Sequence, residues 1–155
     1  MDKVLLDTTY LLPVFGIRVK LRRFEELFPR FLEEYSVLYN PISIVEAKWV
    51  ILKLSRRKRE KRLRHLEAYR KGLKALLSDE RLQQTSLTNP TVEQIADKLL
   101  LNVGVKDYFD RVIYATAAHH NAVLLTEDRE LAGIEHPEIP KPAAVMTWND
   151  VVLRL

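Results

Sequence analysis

The chain has 155 residues, no cysteine, 25 basic and 21 acidic residues, and a net charge of +4. That length suits one domain with its own core, and the lack of cysteine excludes disulfide staples, thiolate metal sites and cysteine chemistry. No charge-free apolar run approaches the ~18 residues of a membrane helix, and Asp7 interrupts an apolar start preceded only by Lys3; a cytoplasmic protein without a secretory leader or membrane contact is expected.

Val4 to Leu6 is a short, continuous apolar run, which suits a buried parallel strand better than an alternating surface strand. Leu21, Phe24, Leu27, Phe28, Phe31, Leu32 and Tyr35 then recur at helical spacing, and Pro29 is expected to divide this stretch into two helical pieces. "SVLYNP" reads as a second strand stopped by Asn40-Pro41. From Ile42 to Lys71 there is no Gly or Pro, which allows one long helix or two joined near Ser55. Its second half is amphipathic through Leu63, Leu66, Tyr69, Leu73 and Leu76, and Asp79 marks its end.

"RLQQTSLT", residues 81 to 88, is expected to be a strand. Asn89-Pro90 opens a helix as cap and first residue, and Gly104 closes it. Asp107 opens the next helix, "DYFDRVIYATAAHHN"; "AVLLTED" and "AAVMTW" are the last strands. Strands alternating with helices predict an α/β fold, a three-layer α/β/α sandwich around a mainly parallel sheet, as one domain over 1–155 with a basic helical segment at about 56–74.

Four acids fall just after a strand or one turn into a helix beside one: Asp7, Glu46, Asp110 and Asp128. In open parallel sheets that edge is where ligands bind. Each acid also has a structural use. Ser43 and Glu46 have capping-box spacing, and Asp7, Asp107 and Asp128 stand where helix caps stand. As a group, however, four acids on one edge repel one another, and a fold needing only caps is served by Ser, Thr or Asn. A divalent cation removes the repulsion, and an all-oxygen donor set points to Mg2+ or Mn2+, the ions of phosphoryl chemistry.

"VLLDTTYLL", "ISIVEAKWV" and "DYFDRVIYATAAHHNAVLLTEDREL", in that order, resemble the PIN domain, the fold of VapC-type toxin ribonucleases. The resemblance implies a PIN-like α/β/α sandwich and a catalytic metal site made by Asp7, Glu46, Asp110 and Asp128. It further implies supporting hydroxyls at Thr9 and Thr126, although many family members carry Asn or Ser where Thr9 stands. The implied activity is Mg2+- or Mn2+-dependent cleavage of RNA by water, and the implied partner is a small antitoxin. A homodimer is also common in the family. Within it, an RNA-processing nuclease and a catalytically silent RNA-binding module are the alternatives. A phosphohydrolase using Asp7 as nucleophile wants a second Asp where Thr9 stands. Asp107 reads first as a cap and second as an accessory ligand; His119 and His120 read as surface residues at the far end of their helix.

From Arg56 to Lys74 the chain carries ten basic residues and two acidic ones, a net +8 that leaves the remainder mildly acidic. A merely solvated helix interleaves Glu at the i, i+4 positions that stabilise it, and cations at a helix start oppose the dipole. Arg56, Arg57, Arg59, Lys61 and Arg62 are therefore candidate RNA-phosphate contacts.

Overall fold

The computed structural model describes residues 2–155. Its centre is a five-stranded parallel sheet in the order β3-β2-β1-β4-β5, formed by β1 (Lys3–Leu6), β2 (Ser36–Tyr39), β3 (Leu82–Gln84), β4 (Val123–Leu125) and β5 (Ala144–Met146). In chain order the connections are a 3-10 helix (Thr8–Phe15), α1 (Phe24–Glu34), α2 (Ile42–Leu54), α3 (Arg59–Ser78), α4 (Pro90–Lys98) with a π-helical turn (Leu99–Val103), α5 (Tyr108–His119), α6 (Arg129–Ala132) and α7 (Trp148–Val152).

The continuous apolar runs follow from burial on both faces. Side chains alternate along a strand, so Val4 and Leu6 enter one core with Val37, Tyr39 and Leu125, beneath the 3-10 helix, α1, α2, α3 and α7. Leu5, Leu38 and Leu124 enter the other, beneath α4 and α5. Helices on both faces give the α/β/α sandwich, and a one-residue slip of β1 would exchange its two buried sets. The expected strands are present but shorter. "RLQQTSLT" pairs only over Leu82–Gln84, and Thr126 to Asp128 leave the sheet after β4.

Pro29 does not divide α1, contrary to expectation. The carbonyl deprived of its donor is that of Glu25, four residues back, and both residues are exposed, so water serves it. Phe24, Phe28 and Phe31 from both halves meanwhile pack against Trp148, which holds the helix together.

The stretch after Ile42 is two helices. Ser55 is buried and its Oγ donates to the Ile51 carbonyl at 2.7 Å, closing α2. Arg62 Nη2 donates to the Leu52 carbonyl at 3.0 Å, which fastens the first turn of α3 back onto α2. Farther along, α3 crosses the 3-10 helix at Gly72, where a Cβ would stand 2.3 Å from the Val14 carbonyl oxygen. Gly104 ends the α4 segment with φ +79°. Among the described residues, no helix is long and apolar enough to cross a membrane.

Candidate metal centre

From β1 the chain runs outward to β2 and β3, whereas β4 and β5 lie on the other side of β1. The carboxyl ends of β1 and β4 are therefore the place where the strand order reverses. Leu6 is in register with Leu125, and the residues that follow are Asp7 and Thr126.

Asp7 is buried, 8% exposed. Its Oδ1 accepts from the Thr8 backbone N–H at 2.7 Å and its Oδ2 from Thr126 Oγ1 at 2.6 Å. Burial raises its pKa, the Thr126 and Thr8 bonds oppose that rise, and the charges of Asp128 and Asp107 add to it. Glu46, one turn into α2, accepts a hydrogen bond from Thr8 Oγ1. Its pKa is also raised, by burial first and then by Asp7 and Asp107, against the Thr8 bond and the charge of Lys53.

Asp110 is in the first turn of α5, and burial together with the charges of Asp107, Asp7, Asp128 and Glu46 pushes its pKa up to about 7. Asp107 caps the same helix, accepting from the Asp110 N–H at 3.3 Å. Carboxylate oxygens of Glu46, Asp107 and Asp110 all lie within 4.8 Å of one another. Asp128 caps α6 by accepting from the N–H groups of Glu130 and Leu131 at 2.8 and 3.3 Å. Asp7, Glu46, Asp110 and Asp128 line one cavity of about 350 Å3.

Several of these acids are therefore helix caps and members of a cluster at once. The capping-box reading of Ser43 and Glu46 fails: Pro41 stands at the N-cap, and Ser43 Oγ is 2.9 Å from Thr8 Oγ1. Thr9 lines the cavity, but the hydroxyl bonded to Glu46 belongs to Thr8, which sequence reasoning passed over. Glu127, also overlooked, lines the cavity and accepts from Tyr10 OH at 2.5 Å and the Trp148 N–H at 2.9 Å. His119 and His120 lie at the opposite end of α5 from Asp110. Arg56, Arg57, Arg59 and Lys61 are exposed and Arg62 is half-buried, all between α2 and the start of α3.

The donor set fits a hard divalent cation: the groups are carboxylates, and a cation relieves both the burial of charge and the mutual repulsion that raise Asp7, Glu46 and Asp110.

The PIN domain family model matches residues 4–137. The chain belongs to the PIN domain family. Comparison with curated protein sequences gives no match. Among solved structures, this PIN domain is similar to VapBC2 from Rickettsia felis bound to a promoter DNA fragment, with TM-score 0.64 and 17% identity over 94% of this chain and 98% of the other. DNA-bound VapBC from Salmonella typhimurium superposes with TM-score 0.63 and 18% identity over 96% and 99% of the two chains. PAE2754 from Pyrobaculum aerophilum gives TM-score 0.63 and 16% identity over 99% and 94%. The PIN domain is thus VapC-like in fold along nearly its whole length. PIN domains are in general nucleases that use divalent metal ions.

Proposed function

We propose that this PIN domain is a Mg2+- or Mn2+-dependent endoribonuclease, the toxin of a toxin-antitoxin pair. The observation that carries the reading is the convergence of Asp7, Glu46, Asp110 and Asp128 on one cavity at the reversal of strand order, each with other carboxylates close by. Asp7, Glu46 and Asp110 would hold the principal ion, and Asp128 completes the acidic wall. What the ion supplies when bound is Lewis acidity toward a phosphate oxygen and a lowered pKa for the attacking water.

The chain's own residues supply orientation. Thr126 and the Thr8 N–H fix both oxygens of Asp7, and the Thr8 hydroxyl fixes Glu46, so two ligands are set before substrate arrives. Thr9 lines the same cavity and would support the site there. The reaction needs no nucleophilic side chain: water would form the new bond to phosphorus as the bond to the leaving oxygen breaks, and the proton lost by the water would be balanced by the one that oxygen takes up.

Exposed apolar residues suit protein partners. Val45, Trp49 and Leu52 form an unpartnered stripe on α2, 49%, 57% and 36% exposed, beside Glu46. A small antitoxin seated there would reach the acid cavity. Leu100, Leu101 and Val103 offer a second exposed apolar surface, suited to a homodimer. The proposed setting is cytoplasmic.

Asp7→Asn tests the site. RNA cleavage with Mn2+ is expected to fall by orders of magnitude while circular dichroism stays that of the folded protein; a folded variant cutting at the original rate overturns the assignment. Millimolar Mn2+ is expected to raise the melting temperature by mass action, and no rise would favour a silent RNA-binding module instead.

A further inference from the structure

Two surface concavities follow one another along α2. Glu46 and Val50 line the acid cavity. The second, of about 320 Å3, lies at the turn into α3 and is walled by Lys53, Arg56, Arg57, Lys58 and Lys61. Val50 and Lys53 are less than one helical turn apart, about 5 Å along the axis. A third concavity shares Lys58 and Lys61 with the second and adds Arg59 and Arg64, carrying the basic surface along the start of α3.

Between Lys53 and Arg64 there are eight cations and one acid, Glu60. Among the described residues, none of the eight lies within ion-pair distance of a carboxylate, whereas Arg30 pairs with Glu34 and Lys71 with Glu67 one helical turn apart. Lys58, the N-cap of α3, makes no capping bond through its side chain, and the cations after it crowd the end of the helix where its dipole disfavours them. Left to themselves these charges repel one another, and a polyanion relieves them together. The turn that carries them is held in place by the bonds of Ser55 to the Ile51 carbonyl and Arg62 to the Leu52 carbonyl.

We infer that the α2–α3 turn grips the sugar–phosphate backbone of substrate RNA a few nucleotides from the acid cavity, with Lys53 as the bridge between the two. This rests on the ribonuclease reading of that cavity. The physical need is plain: Asp7, Glu46, Asp107, Asp110 and Asp128 repel phosphate, so attraction has to be exerted beyond them. Lys53 stands about 10 Å along the helix axis from Glu46. Phosphate contacts position a strand without reading bases. The surface therefore sets the length of RNA required and leaves its sequence unselected.

The test compares the full chain with K53Q/R56Q/R57Q and with R70Q/K71Q/K74Q, which removes the same charge farther along α3. A fluorescent single-stranded oligoribonucleotide is titrated at several salt concentrations without divalent metal; cleavage of the oligomer and of a dinucleotide is then followed with Mn2+. In K53Q/R56Q/R57Q the slope of log affinity against log salt is expected to shrink by about 2, at about 0.7 for each phosphate left without its cation, and KM for the oligomer to rise about tenfold. With Mn2+ saturating, so that the ion and not Lys53 keeps Glu46 ionised, its kcat and its dinucleotide cleavage stay unchanged, and R70Q/K71Q/K74Q shifts the slope by less than half as much. An unchanged slope and KM in K53Q/R56Q/R57Q overturn the inference, and the ribonuclease reading survives if cleavage still requires Asp7. Loss of an acidic protein partner with RNA binding intact overturns it too. RNA that binds at the turn but is never cut supports the surface and sinks the ribonuclease reading.

Discussion

Thr126 Oγ1 donates to Asp7 Oδ2 at 2.6 Å and accepts from the Asp128 backbone N–H at 3.0 Å, so one hydroxyl joins the carboxyl ends of β1 and β4. Thr126 is 1% exposed, and water cannot take its place. Thr126→Val keeps the shape and removes both bonds. A hydrogen bond to a buried carboxylate contributes about 1.5–3 kcal/mol, so a loss of that size is expected at neutral pH in chemical denaturation, with weaker Mn2+ binding by calorimetry. Thr126→Ser restores most of both.

Asp110 gives the metal-free protein a signed pH dependence. Its folded pKa, about 7, stands above the ordinary 3.8, so the folded state favours the neutral carboxyl. The stability this group contributes is full below about pH 4 and is lost as the pH rises through about 7. Burial and neighbouring charges push Asp7 and Glu46 in the same direction. Denaturation with a chelator present should therefore show stability declining from pH 5 to pH 7.5, and Mn2+ should flatten the profile. Asp110→Asn is expected to stabilise the metal-free protein at neutral pH while weakening Mn2+ binding; a destabilised variant contradicts the repulsion argument.

Asp107→Asn separates the two uses of that residue. The amide oxygen still caps Asp110 N–H, while a charge is removed from the cluster with Glu46 and Asp110. Metal-free stability is expected to hold or rise slightly, and Mn2+ affinity to fall. Equal affinity in the variant and the parent makes Asp107 a cap alone.

Asn40 is fully buried and uses its whole side chain: Nδ2 donates to Thr116 Oγ1 and the Leu87 carbonyl, both at 2.9 Å, and Oδ1 accepts from the Ile42 N–H at 2.8 Å. Asn40→Ala leaves the buried Ile42 N–H without its acceptor and opens a cavity beside Thr116, whose hydroxyl keeps its bond to the Val112 carbonyl. A loss of about 2–4 kcal/mol is expected from urea unfolding, larger than an ordinary surface substitution gives.

Gly72→Ala sets two effects against each other. Alanine gains about 1 kcal/mol of helix propensity, but its Cβ falls 2.3 Å from the Val14 oxygen, a backbone atom that cannot swing aside. Overpacking typically costs about 1–3 kcal/mol, so net destabilisation is expected, readable as a lower urea midpoint. A raised midpoint would mean that the 3-10 helix shifts freely against α3.

What the sequence discloses depends on the range of the interactions involved. Val4 to Leu6 reads as a buried strand because both faces of the sheet are covered, which local composition reports directly. Asp7, Glu46, Asp110 and Asp128 could be picked out because a carboxylate after a strand is a positional signal, and they do share one cavity. Thr8 and Thr9 are adjacent hydroxyls, and only the 3-10 turn decides that Thr8 meets Glu46. Glu127 depends on Tyr10 and Trp148, far off in sequence. The break at Ser55 lacks Gly or Pro because side chains returning to carbonyls make it, and the intact α1 overrides Pro29 through contacts with Trp148.

The central place of β1 governs when the acid cavity can exist during synthesis. Asp7 is made well before its hydroxyl partner, which follows 119 positions later. Until β4 emerges from the ribosome, β1 has an open edge and Asp7 has no Thr126 to hold it. The nascent chain therefore carries an unfinished pocket while the residues between Asp7 and Thr126 are made, and contacts of high sequence separation are the ones that assemble the site.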